Sequence, residues 1–159
     1  EKIKVYDLHT IKGKSNALNE MLKYCKYQWI SLLDVDDIWS PYKLAYQFPY
    51  MPSYDVIGTK CQYFGDSKAI PRIPSGDLKN FDFLKCNPII NSSCLLKKNL
   101  CRWEENGIED YDLWLKLWKE GNCFYNVNKI LVLHRIYQES AFNSNNNQFK
   151  KINNLVSKY

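Results

Sequence analysis

The sequence predicts an α/β fold, and three observations carry that reading. Residues 2–6 alternate polar and apolar side chains as a strand does. Leu18, Met21, Leu22 and Cys25 then recur at helical spacing over residues 15–27. Residues 28–33 (Gln-Trp-Ile-Ser-Leu-Leu) form a short run of buried-strand type. Strand, helix and strand in that order read as a βαβ unit. With 159 residues, 45% hydrophobic and 25% charged, the chain suits one core and is not disordered, collagen-like or coiled-coil. No apolar run approaches the roughly 20 residues that a membrane-spanning helix needs.

The remaining elements follow from local chemistry. The Lys12-Gly13-Lys14-Ser15 turn leads into the first helix, with Ser15 as its expected N-cap. Pro41 suits the first turn of a second helix that ends near Tyr50, where Pro49 and Pro52 stop it. Residues 54–64 read as a strand. The breaker-rich stretch 65–77 reads as a long surface loop of the kind that carries specificity. A short helix at 78–86 and a strand at 89–96 are expected next. Leu113, Trp114, Leu117 and Trp118 give a helix over 110–120, followed by strands near 123–127 and 130–136. Residues 1–142 are taken as the core, and 143–159 as a polar Asn-rich linker with a C-terminal helix over 148–158.

The formal net charge of +5 suits a phosphate-bearing ligand without demanding nucleic acid. Arginine occurs only at 72, 102 and 135; the other basic residues are lysines. The cysteines at 25, 61, 86, 94, 101 and 123 form no C-x-x-C pair, so free thiols and a cytoplasmic setting are expected, without structural zinc.

Two acidic constellations carry chemistry. Asp34-Val35-Asp36-Asp37 directly follows the apolar strand 28–33, and acids there point into the crevice beyond the carboxyl ends of a sheet. Asp34 and Asp36 are two apart, which puts both on one side of an extended segment. A hard divalent cation, Mn²⁺ or Mg²⁺, relieves their repulsion and shares the oxygens of a diphosphate. The plainer reading is a solvated acidic loop that caps the next helix. In Glu109-Asp110-Tyr111-Asp112-Leu113-Trp114, acids open a helix. They either cap it and meet its dipole, as Asp112 is expected to, or supply a general base at Asp110.

Taken together, these motifs resemble family-2 glycosyltransferases of the GT-A fold. Leu33 to Leu44 (Leu-Asp-Val-Asp-Asp-Ile-Trp-Ser-Pro-Tyr-Lys-Leu) resembles that family's metal-binding segment. Gly13-Lys14-Ser15-Asn16-Ala17-Leu18-Asn19 resembles its donor-contacting turn. Asn87-Pro88-Ile89-Ile90-Asn91-Ser92-Ser93 resembles the strand before the acceptor site, and 109–114 resembles the base motif. The resemblance implies a GT-A (Rossmann-like) mixed sheet flanked by helices, N-terminally incomplete. Family members begin with a strand, helix and strand that hold the nucleotide base, and these residues start after them. A sequence that is part of a longer protein is therefore expected.

The implied activity is an inverting sugar transfer from a nucleotide-diphosphate sugar, a UDP-sugar first, to a glycan or glycoconjugate hydroxyl. By analogy Asp34 contacts the ribose, Asp36 binds the metal, Lys14 lies near the donor, Asp110 is the base and Glu109 orients the helix start or the acceptor. His134 to Ser140 resembles the family's closing loop, in which Arg135 suits a diphosphate contact. Tyr137 stands where that loop usually has histidine, which leaves His134 either as the replacement metal ligand or as a plain strand-end histidine. The alternative of another class is a non-catalytic nucleotide-sugar or carbohydrate binding module. A phosphoryl-transfer or nuclease domain explains neither Lys14 nor Asp110. Trp39 and Trp103 are expected to pack under loops.

Overall fold

A computed structural model describes residues 3–137 and 147–159. In chain order the elements are α1 (Lys14–Met21), β1 (Trp29–Ser31), β2 (Ile38–Trp39), α2 (Lys43–Gln47), β3 (Val56–Gly65), β4 (Gly76–Asp77), β5 (Leu95–Lys97), α3 (Glu109–Lys119), β6 (Phe124–Ile136) and α4 (Asn147–Val156). The strands form one mixed sheet in the order β1-β5-β3-β6-β2, and β4 also pairs with β6. β3 and β6 run parallel, while β5 is antiparallel to both β1 and β3. β1, β3 and β6 therefore point the same way, and the loop after β1 and the last residues of β6 lie at one end of the sheet.

β6 is the longest element. β4 pairs with its first half at Tyr125 and Asn126, and β2 pairs with its second half at Val132 and Leu133. Between them the register against β3 slips twice, at Thr59/Lys60 and at Lys60/Cys61. The exposed residues Asn128 to Ile130 fall in that bulge.

α3 covers one face of the sheet. Leu113, Trp114, Leu115 and Leu117 are at most 1% exposed and join Val56, Phe83, Leu96 and Phe124 in the main core. Burying each such leucine stabilises the fold by about 1.5–3 kcal/mol. Acids in the first turn and lysines in the last match the helix dipole. Gly121, at φ +83°, ends the helix in the left-handed conformation that glycine adopts freely. Leu155 of α4 is buried in the same core, and the Tyr159 hydroxyl donates to Asp112 Oδ1 at 2.8 Å. A smaller cluster of Ile57, Leu95, Val127 and Leu131 packs with Trp29, Tyr50 and Tyr125.

Several sequence expectations are corrected. Residues 3–6 form no strand, and Ile3 and Val5 are about nine-tenths exposed, paired with no strand among the described residues. The βαβ reading therefore fails at its first strand, and β1 takes antiparallel β5 as its neighbour. Residues 78–86 make turns instead of a helix. Asp77 Oδ1 accepts from Lys79 N–H and Asp82 Oδ1 from Leu84 N–H, and these local bonds compete with a helical ladder. The strand expected over 89–96 shrinks to β5, because Asn91–Ser93 is a 3₁₀ turn in which Ser93 Oγ donates to the Ile90 carbonyl. The two strands expected over 123–136 are one bulged strand. The first helix ends as α1 and a 3₁₀ turn at Leu22–Tyr24, and α2 likewise passes into a 3₁₀ turn at Phe48–Tyr50. The Asn143–Asn146 linker lies outside the described residues. All six cysteines are free, and no helix among the described residues is long and apolar enough to cross a membrane.

Candidate active site

The loop after β1 carries Asp34 into a ring of donors. Asn91 Nδ2 lies 3.2 and 3.1 Å from its two oxygens, Ser92 Oγ lies 3.3 Å from Oδ2, and the Asp34 N–H donates to Ser92 Oγ at 3.0 Å. The Asn91–Ser93 turn that spoiled the expected strand is what presents these groups. Lys14, the first residue of α1, bridges Asp34 at 3.0 Å and Glu109 at 3.1 Å. Burial alone would lower the Lys14 ammonium, but Asp34 and Glu109 more than offset this and hold its pKa above the usual lysine range.

Ser15 is not the N-cap of α1. That position is Gly13, at φ +91°, and a Cβ there would overlap the Glu105 side chain. Buried Ser15 donates its N–H to Glu105 Oε2 at 3.0 Å and its hydroxyl to the Glu104 carbonyl at 2.9 Å. A carboxylate from the segment before α3 thus closes the N-terminus of α1 and fixes Lys14 opposite Glu109.

Asp36 and Asp37 part company. The Asp36 carboxylate makes no hydrogen bond or ion pair among the described residues, whereas Asp37 is buried. His134 Nδ1 lies 2.9 Å from Asp37 Oδ2, and the Arg135 N–H donates to Oδ1 at 2.9 Å. Burial would raise the Asp37 carboxyl, but the bonds from His134, Ser92 and Arg135 hold it below the usual range. The same bond to Asp37 raises the His134 imidazole against its own burial. The Arg135 side chain donates through Nε to the Asp36 carbonyl at 3.2 Å and lies over the Phe64 ring at 4.4 Å.

Asp110 opens α3 beside Glu109. Asn87 Nδ2 donates to its Oδ2 at 3.1 Å, and burial, with Glu109 adding to it, pushes its carboxyl above the usual carboxylate range. Asp112, expected to cap α3, makes no cap bond. It is 3% exposed and accepts from Asn106 Nδ2, Lys116 Nζ and the Tyr159 hydroxyl.

The structure thus joins Lys14, Asp34 and Glu109 directly, with Asp110 next to Glu109. It sets Asp36 next to Arg135, and links His134 to the same loop through Asp37. Sequence reasoning gave Asp37, Asn87, Asn91 and Ser92 no role, although each stands inside a quoted motif. Trp39, a half-buried indole two residues after Asp37, donates through Nε1 to the Ser92 carbonyl at 2.6 Å, and Trp103 is 4% exposed in the core.

Residues 1–103 match the family described as Glycosyl transferase family 2. The chain belongs to glycosyl transferase family 2. An uncharacterized glycosyltransferase of Haemophilus influenzae is 30% identical over 84% of this chain and 54% of its own length. The Escherichia coli protein UDP-Glc:alpha-D-GlcNAc-diphosphoundecaprenol beta-1,3-glucosyltransferase WfaP is 26% identical over 89% of this chain and 57% of its own. This family-2 chain spans about half the length of the curated relatives it matches. Among solved structures, S. aureus TarS 1–349 in complex with UDP-GlcNAc aligns at a TM-score of 0.68 and 14% identity, covering 92% of this chain and 46% of that one. The mixed sheet with its flanking helices is that of the GT-A fold.

A carboxylate and an imidazole are the donor types that a divalent cation shared with a diphosphate would need. Among the described residues no three acidic, histidine or cysteine side chains group as a closed cage. Among the described residues Asp36 offers a carboxylate without a side-chain partner, and His134, whose Nδ1 is engaged by Asp37, offers Nε2.

Proposed function

We propose that this family-2 chain is the catalytic part of an inverting, metal-dependent glycosyltransferase. It moves a sugar from a nucleotide-diphosphate sugar, a UDP-sugar first, to a hydroxyl of a glycan or glycoconjugate, in the cytoplasm. The observation that carries the reading is the Lys14 bridge, which ties the donor-side Asp34 to Glu109, the neighbour of Asp110. The bridge supports the reading because it brings Asp34 near the start of α3, where Asp110 is half-buried with its carboxyl pushed above the usual range.

In this reading Asp34 accepts from the ribose hydroxyls of the nucleotide, and Lys14 and Arg135 face the diphosphate. Asp36 and His134 Nε2 would hold Mn²⁺ or Mg²⁺, with Asp37 orienting the imidazole through Nδ1. A cation bound there offsets charge on the departing diphosphate. Asp110 takes the proton from the acceptor hydroxyl as its oxygen attacks the anomeric carbon. The new C–O bond forms opposite the bond to the diphosphate oxygen, which breaks, so the configuration inverts and the nucleoside diphosphate leaves. Glu109 keeps Lys14 and the start of α3 in place. The names of WfaP and of the TarS complex, which specify UDP-activated sugars, support the donor class.

The test is a thermal-shift panel of UDP, GDP, dTDP and CMP, with and without Mn²⁺, on the wild type and Asp36→Asn. A ligand at 100 times its Kd adds about 2.7 kcal/mol, a shift of several degrees. A manganese-dependent shift with UDP that is lost in Asp36→Asn is expected. No shift with any nucleotide would sink the donor assignment. UDP binding without transfer to any acceptor would favour a binding module, the reading that Tyr137 in the usual histidine position keeps open.

A further inference from the structure

Residues 103–106, between β5 and α3, lie against both helices that carry the site. Trp103 roots the segment in the main core. Toward α1 it makes four hydrogen bonds. Ser15 donates its N–H to Glu105 Oε2 at 3.0 Å and its hydroxyl to the Glu104 carbonyl at 2.9 Å. Asn19 Nδ2 donates to the Trp103 carbonyl at 2.8 Å, and the Trp103 N–H donates to Asn19 Oδ1 at 3.1 Å. Ser15 and Asn19 are four apart, so both sit on one face of α1. Toward α3 the pattern repeats. Glu104 pairs with Lys116 at 2.6 Å, and Asn106 Nδ2 donates to Asp112 Oδ2 at 2.9 Å. Asp112 and Lys116 are again four apart, on one face of α3.

This clasp decides where Lys14 stands. Lys14 immediately precedes Ser15, and its ammonium reaches Asp34 on the loop after β1 at 3.0 Å and Glu109 on α3 at 3.1 Å. A long flexible stem keeps one geometry only where its backbone is fixed, and the bond from Ser15 N–H to Glu105 fixes it one residue away. Gly13 shows how closely Glu105 is fitted to that backbone. Its φ of +91° makes the turn into α1, and the Glu105 carboxylate occupies the space that a Cβ there would need. The ion pairs of Lys14 are with Asp34 and Glu109, so Glu105 acts on it through the backbone and not as a charge partner. Gly13, Ser15 and Asn19 stand inside a quoted motif, whereas Glu105 stands in none.

We propose that Glu105 is a positioning residue of the donor site. Bound to the Ser15 N–H, it fixes the start of α1 so that the Lys14 ammonium stands between Asp34 and Glu109, ready for the donor's diphosphate. Residues 103–106 thereby couple the donor side to the base side, because a movement of this segment against α3 moves Lys14 relative to Glu109 and Asp110. The proposal rests on the transfer reading above, which takes Lys14 as a diphosphate contact.

The test separates placement from charge and from general stability. The full protein is treated with trace acetic anhydride, and acetylation of each lysine is followed by mass spectrometry. The reaction needs the free amine, so an ammonium held between two carboxylates reacts slowly and its release shows as a faster rate. Glu105→Ala is expected to speed Lys14 by about tenfold or more, while Lys12, exposed two residues earlier, and buried Lys43 are unchanged. Glu105→Gln keeps Lys14 slow, because its amide oxygen accepts the same N–H without the charge. In calorimetry with Mn²⁺, Glu105→Ala weakens UDP binding about tenfold and Glu105→Gln does not; in a Lys14→Met background Glu105→Ala changes the affinity no further. An unchanged Lys14 rate in Glu105→Ala overturns the proposal. Equal acceleration in Glu105→Gln would make Glu105 a charge partner, and acceleration of Lys43 in step with Lys14 would mean general loosening; either outcome refutes it. UDP bound equally well by wild type and Glu105→Ala also refutes it and leaves the transfer reading standing. The stated Lys14 response in a protein that binds no nucleotide keeps the role of Glu105 at α1 and sinks the donor reading.

Discussion

A carboxyl group that must take a proton in mid-reaction works best with a pKa close to the working pH, and burial moves Asp110 in that direction. The bond from Asn87 acts oppositely, because an amide donor favours the charged form. Two outcomes are expected from kinetics. Asp110→Asn lowers kcat by about 10²–10⁴-fold, while calorimetry finds donor affinity unchanged. In the wild type, kcat/KM rises with pH as Asp110 loses its proton, with the limb above the ordinary aspartate range, and Asn87→Ala moves that limb higher still. Near wild-type transfer by Asp110→Asn would remove Asp110 as the base. Lys14, Asp34, Glu109 and Asp110 stood out in the sequence because each sits in a compact linear motif. Asp37 and Asn87 did not, because their roles come from partners 97 and 23 residues away. No local pattern encodes such a pairing.

The helix α3 was legible because six buried residues within one short helix leave a strong periodic mark. The turn at 78–86 was misread as a regular element because its apolar content suggested burial, and the polar turn at 91–93 because it lies between the apolar pairs Ile89-Ile90 and Leu95-Leu96. Side-chain bonds from Asp82 and Ser93 decided their backbone instead. β6 was legible as strand but not as a single strand, since its bulge coincides with the polar break at Asn128-Lys129. Gly58 on β3 shows what such packing demands. It needs no unusual backbone angle, yet a Cβ there would overlap Asn126 Oδ1 and meet Ile89 Cδ1 at 3.1 Å. Asn126 cannot move away without releasing Pro74 and Pro88. Gly58→Ala is expected to cost about 1–3 kcal/mol in urea unfolding, the range for overpacking a filled interior. An unchanged midpoint would show that Asn126 has room to shift.

Lys43 reports on the molecule as a whole. It is 1% exposed on α2, and its Nζ reaches Ser31 Oγ at 2.9 Å, Gln47 Oε1 at 3.0 Å and the Cys94 carbonyl at 3.5 Å, which joins α2 to β1 and to the lead into β5. Burial pushes its pKa down to about 8 from 10.5. In that window the unfolded chain holds a proton that the folded chain has released, so the Lys43 contribution makes stability rise with pH. The difference in urea midpoint between wild type and Lys43→Met should therefore shift toward the wild type from pH 8 to 10.5. A difference independent of pH would mean that Lys43 stays charged in the fold.

Strand β6 also has a consequence for how such a chain can diversify. Its early half is aligned by β4 and carries Asn126 to the Pro74 and Pro88 carbonyls; its late half is aligned by β2 and carries His134 and Arg135 to the loop of Asp36 and Asp37. The bulge between them breaks the shared register against β3. A length change within residues 128–130 can therefore be absorbed where three side chains already face solvent, without rotating either end. The early half can drift in sequence while the late half is inherited intact.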